Sequence, residues 1–220
     1  MPPHHMFNPV IFGIELVYSV IILILCLMVY FKTKEMYELT KHKGIQFFRY
    51  AFLFFGLAYG ARLVLYILII SQTIVCEFCR YGRDILPISN LIVAYFSTMA
   101  ILFLAYSTVW RKINSEHFLM FSNILAMAIS VIAFVSRSPF IISLIQLFLL
   151  IFTILIILKA HKKQKSNIRA LYLLVVLFWL LNLFVLGPIM ILLPGAEFII
   201  PIVSILIFVA IYHKVLKWVK

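Results

Sequence analysis

The chain has 220 residues, 65% of them hydrophobic and 12% charged, with a formal net charge of +12 and a mean hydropathy of +1.16. No water-soluble domain of this size could hide that much apolar surface, so a soluble globular fold is excluded. Nucleic-acid binding is excluded as well, because the cations are spread over the ends of apolar runs instead of gathering on one patch.

Residues 1–8 carry no Lys or Arg, unlike the basic start of a secretory signal, so the first apolar run is read as retained. That run predicts a transmembrane helix near 9–31, with Glu15 and Ser19 on one face and Cys26 as a small apolar filler. A second helix is expected near 45–74. Within it Tyr59, Arg62 and Tyr66 recur at helical spacing, on one face. It ends at Cys76-Glu77-Phe78-Cys79, just before Arg80 and Arg83. The third helix is expected near 87–109 and carries Asn90, Ser97 and Thr98. Ser136-Arg137-Ser138-Pro139 splits the next stretch into helices near 117–136 and 139–158, since a turn signal with a charge does not belong at the bilayer centre. Gln146 lies in the fifth helix. A sixth near 168–193 contains Trp179, Asn182 and Gly187-Pro188, and a seventh, the shortest, is placed near 197–213.

Pro9, Pro87, Pro139 and Pro201 stand at or near helix starts, where a missing N–H costs nothing. Asp84-Ile85-Leu86-Pro87 is echoed by Glu197-Phe198-Ile199-Ile200-Pro201, which suggests two parallel three-helix repeats joined by helix 4. Chance reuse of helix-start chemistry accounts for the echo nearly as well.

Orientation follows from the distribution of cations. Of the nineteen Lys and Arg, fifteen fall on one side: Lys32, Lys34, Lys41, Lys43 and Arg49; Arg111 and Lys112; Lys159, Lys162, Lys163, Lys165 and Arg169; Lys214, Lys217 and Lys220. Arg80, Arg83 and Arg137 fall on the other, and Arg62 lies within the membrane. The expected architecture is therefore an all-α integral membrane protein: one domain over residues 1–220, seven transmembrane helices, N terminus outside and C terminus in the cytoplasm. The plasma membrane is the expected location. Anionic headgroups are the expected partners of Lys159, Lys162, Lys163 and Lys165. This helix number and orientation look like the arrangement shared by opsins, heptahelical receptors and small sugar-type transporters, at the level of topology only.

Glu15 and Arg62 are the charges most costly in lipid, at about 2.5 to 3.5 kcal/mol each on insertion scales. Both are expected roughly 6 to 8 Å from the midplane on adjacent helices, a depth at which they could pair. Such a pair is either a structural clamp or part of a polar site that binds a small ligand or ion, with Tyr59, Tyr66, Asn90 and Asn182 around it. Ser97, Thr98 and Gln146 could add to that site, although isolated amides and hydroxyls also bond helices together. Trp179 reads as packing. Cys76 and Cys79 form a CxxC that is a local disulfide, two plain thiols or a redox pair.

No HExxH, GxSxG or Walker loop occurs, no interior His could ligate haem, and helix 7 has no interior Lys for a retinal Schiff base. No cofactor or metal is therefore expected. The leading expectation is a small-solute or ion transporter with a site in the outer half around Glu15 and Arg62. A seven-helix sensor coupled to a cytoplasmic signalling partner is the alternative, and a membrane thiol redox enzyme using Cys76 and Cys79 the second. Homo-oligomerisation is compatible with all three.

Overall fold

In lipid a chain has no water to satisfy its peptide groups, so each apolar run closes its own hydrogen bonds as a helix. The computed structural model describes residues 9–75, 82–136, 138–160, 166–186 and 196–219. These contain seven helices: α1 (Pro9–Thr40), α2 (Lys43–Val75), α3 (Gly82–Val109), α4 (Ser115–Ser136), α5 (Pro139–Ala160), α6 (Ser166–Leu186) and α7 (Ala196–Val219). Six are long and apolar enough to cross a bilayer, and α6 adds the shorter apolar stretch Ile168–Leu183. The chain is a multi-pass integral membrane protein.

Several boundaries differ from the sequence expectation. α1 runs on to Thr40 instead of stopping near 31. Its polar extension is held by Lys32–Glu35 at 2.8 Å and Lys34–Glu38 at 3.6 Å, pairs at helical spacing that outlast the apolar run. Arg49 lies under this extension, buried within α2, its guanidinium 4.7 Å from the Tyr30 ring and 5.4 Å from the Tyr37 ring. It is a packed cation and not a loop charge. Pro9 and Pro139 are the first residues of α1 and α5, as expected, whereas Pro87 and Pro201 are each the sixth residue of α3 and α7. α3 thus begins more than a turn earlier than expected, whereas α7 begins within one residue of its expected start. The expected end of the sixth helix, Gly187-Pro188 included, lies outside the described residues.

The helices form a ring in which α1 packs on α2, α2 on α3, α3 on α5, α5 on α6, α6 on α7 and α7 on α1. α4 stands outside it against α3 and α5. The buried side of α4 is Ser122, Ala126, Ile129, Ser130 and Ala133. Small residues at this spacing let helix backbones approach where lipid supplies no hydrophobic driving force. Gly56 does the same for α2: a Cβ there would lie 3.2 Å from the Cys26 Cβ on α1. Gly56 is thus a close-approach position, not a hinge in the unbroken α2 helix. Cys26 is fully buried and free.

The core is aromatic, and α2 organises it. Phe48, Phe52, Phe55 and Tyr59 share one face. Phe48 meets Tyr172 at 5.5 Å, Phe52 meets Phe208 at 5.8 Å and Phe55 meets Phe178 at 5.4 Å, all near edge-to-face. Phe47 and Phe54 turn instead to Phe103 on α3, at 5.6 and 5.1 Å.

α1 ends at Lys41, which has a φ of 51° and donates its N–H to the Tyr37 carbonyl at 2.7 Å. A left-handed cap suits Gly, because a Cβ is crowded there. Lys41→Gly is accordingly expected to raise stability by about 0.5–1 kcal/mol. Thermal unfolding in detergent checks this, and an unchanged or lower midpoint would show the cap to be unstrained.

Candidate functional site

A polar site inside a bundle needs side chains from several helices at one depth, and α2, α3, α5 and α6 supply them. Between these helices lies a cavity of about 80 Å³, room for more than one water molecule. Its polar lining is Tyr59 and Arg62 from α2, Asn90 and Ser97 from α3, Ser143 and Gln146 from α5, and Trp179 and Asn182 from α6. The remaining walls, among them Phe55, Ala58, Ile101 and Leu183, are apolar. Four of the six predicted ligand residues are therefore gathered here: Arg62, Tyr59, Asn90 and Asn182.

Glu15 and Tyr66 are elsewhere. The Tyr66 hydroxyl donates to Glu15 Oε2 at 2.8 Å across the α1–α2 seam, with Phe12 edge-on to the Tyr66 ring at 5.1 Å. Among the described residues there is no ion pair between Glu15 and Arg62. Arg62 lies instead over the Tyr59 ring at 5.3 Å. Tyr66, one turn further along α2, reaches the carboxylate, so the matching depth of Glu15 and Arg62 does not make them partners. Ser19 bonds back to the Glu15 carbonyl at 2.8 Å and leaves the carboxylate alone.

Asn182 ties three helices together. Its Oδ1 accepts from the hydroxyls of both Tyr18 on α1 and Tyr59 on α2, while its Nδ2 donates to the Phe178 carbonyl at 2.7 Å. Gln146 Nε2 donates to Ser97 Oγ, joining α5 to α3. These amides do the helix-bonding expected of them and also wall the cavity. Thr98 is fully buried but does not line it.

Trp179 is more than packing. Its ring lies against Phe55 at 5.1 Å, it is 2% exposed, and its buried Nε1–H has no acceptor among the described residues. Among the described residues, an unpaired indole donor and an Arg without a carboxylate partner, both at one cavity, leave donor capacity for an acceptor-bearing guest. From the sequence Trp179 reads only as packing, and Tyr18 and Ser143 are not singled out; nothing local distinguishes them from similar residues in apolar helices.

A second, larger cavity of about 650 Å³ opens at the end of the bundle that carries most of the cations. The same four helices reach it, through Gly44 and Ile45, Ser107 and Thr108, Lys159, and Ile168 and Tyr172. Its centre lies about 20 Å from the first cavity along the helices, at 1.5 Å per residue. At the level between them sit Phe48, Leu104, Ile157 and Val175, all fully buried.

Cys76, Cys79, Lys162, Lys163 and Lys165 lie outside the described residues. No group of three or more His, Cys, Asp or Glu that could hold a metal occurs among the described residues.

No protein-family model matches this chain, and no solved structure is significantly similar to it. It is 34% identical over 175 residues to a protein of Archaeoglobus fulgidus named "Uncharacterized protein", a likeness covering 77% of each chain. A likeness of that extent marks shared descent over most of the chain, which belongs to the same family as that protein.

Proposed function

We propose that the protein is a small-solute transporter whose path follows α2, α3, α5 and α6, with the N terminus outside and the basic end in the cytoplasm. The observation that carries this reading is that the same four helices line a polar cavity within the bundle and a larger one at its basic end, with a fully buried apolar layer between. Two cavities parted by a septum suit alternating access, since a solute must be reachable from one side at a time. The basic end is assigned to the cytoplasm by the excess of Lys and Arg there.

The solute fits the cavity if it is small, mostly apolar and carries a hydrogen-bond acceptor. Arg62 and the Trp179 indole would receive that acceptor, and a carboxylate suits both. Tyr59 and Asn182 would orient the Arg62 side of the pocket through their own hydrogen bond. Glu15, held by Tyr66 at the neighbouring seam, would respond to movement of α1 against α2.

Uptake of a panel of small monocarboxylates into proteoliposomes tests the proposal. Arg62→Met is expected to lower uptake about tenfold or more, the loss of one charge-assisted hydrogen bond. Uptake no faster than in empty liposomes, or an unaffected Arg62→Met variant, would sink it. Saturable quenching of tryptophan fluorescence without any flux would assign the cavity to a sensor instead.

A further inference from the structure

From the cavity at the basic end we infer a binding site for a phosphate-bearing anion. Arg111, Lys112, Lys159 and His42 line it, and among the described residues no Asp or Glu does. The nearest acids on α1 are engaged elsewhere, Glu35 with Lys32 and Glu38 with Lys34. A cavity of about 650 Å³ whose described lining holds three cations and no carboxylate concentrates positive potential in a concave, partly apolar space.

Its floor is built and not incidental. Trp110 carries the Arg111 guanidinium over its ring at 5.3 Å and meets the His42 ring edge-on at 4.7 Å. Gly44 lets α2 close against both: a Cβ there would lie 2.9 Å from His42 Cε1 and 3.0 Å from Trp110 Cδ1 and from the Ser107 carbonyl oxygen. His42 Nδ1 is buried and has no hydrogen-bond partner among the described residues. Partial burial, and then the nearby Arg111 charge, push the His42 pKa down, so an unfilled pocket keeps this imidazole neutral. An anion would supply the missing countercharge and draw a proton onto His42.

Arg is suited to paired N–H contacts with phosphate oxygens and Lys to point-charge contact. The phosphate could belong to a lipid headgroup, since the pocket opens where the helices leave the membrane, or to a soluble ion. The site stands apart from the transport reading, because its test is equilibrium binding and needs no flux.

The full chain in phosphate-free zwitterionic detergent is titrated separately with inorganic phosphate and with dihexanoyl phosphatidic acid. Tryptophan fluorescence and native mass spectrometry serve as readouts. The double variant Arg111→Gln with Lys159→Gln is expected to weaken binding about tenfold or more, while Lys217→Gln, a cation at the same end but outside the pocket, leaves it unchanged. The conservative change Lys159→Arg is expected to retain binding, which separates loss of charge from misfolding. Saturable binding of the lipid probe alone identifies a headgroup site; binding of both identifies a site for the phosphate group itself. Failure of both probes to saturate, or equal weakening in Lys217→Gln and the double variant, overturns the assignment.

Discussion

Replacing Phe52 by Ala is expected to destabilise the protein by about 3–5 kcal/mol, the range for deleting a buried aromatic ring. Phe52 is fully buried, 5.0 Å from the Phe48 ring and 5.8 Å from the Phe208 ring. It is therefore the point where α2 grips α7 across the bundle. Neighbouring rings are themselves pinned, Phe48 by Tyr172 and Phe208 by Phe178, so they are poorly placed to collapse into the gap. Phe52→Leu keeps most of the volume and is expected to cost no more than about 1.5 kcal/mol. Reversible unfolding in mixed micelles measures both. If Phe52→Ala costs no more than Phe52→Leu, the core at this level is loosely packed.

Asn182→Leu carries the second large effect, about 2–4 kcal/mol, and for a different reason. The substitution preserves volume but leaves the buried hydroxyls of Tyr18 and Tyr59 without their common acceptor. Adding Tyr18→Phe and Tyr59→Phe to Asn182→Leu removes the stranded hydroxyls and is expected to recover more than half of the loss. Such non-additivity is the signature of a shared network. A triple variant as unstable as the sum of its parts would mean that the hydroxyls find no strength in Asn182. Because Asn182 and Tyr59 also wall the cavity, stability and solute uptake should be read on the same preparations.

These two variants divide along what can be read from residue order. Phe52 is one of many apolar residues in an apolar helix, and its burial depends on which face α2 turns to α6 and α7. Asn182 was legible as a polar residue to be hidden from lipid, but its partners lie 164 and 123 residues away along the chain. The seven apolar runs were readable because the hydrocarbon core demands continuous apolar helices whatever their neighbours. The long tail of α1 was missed since ion pairs at helical spacing, not hydropathy, carry it to Thr40. Cys26 as filler was readable from its place in an apolar run.

The candidate site was half legible. Charges and amides within apolar runs drew attention to Arg62, Asn90 and Asn182, and all three line the cavity. The expected link from Glu15 to Arg62 gave way to a link from Glu15 to Tyr66, because depth along a helix says nothing about rotation around it. Trp179 looked like any packed indole until its unpaired N–H at the cavity was located. The basic-end pocket was invisible as a pocket, since His42 and Arg111 come from two separate connections and Lys159 from the end of α5.

By itself, then, the order of residues determines a seven-helix membrane protein with its cations sorted to one end, since transfer energies and backbone hydrogen bonding act on each segment alone. The tertiary structure decides which faces meet, that α4 stands outside the ring, and that two cavities share the same four helices. Those outcomes depend on side-chain packing between segments far apart in the chain, and no property of a single segment encodes them.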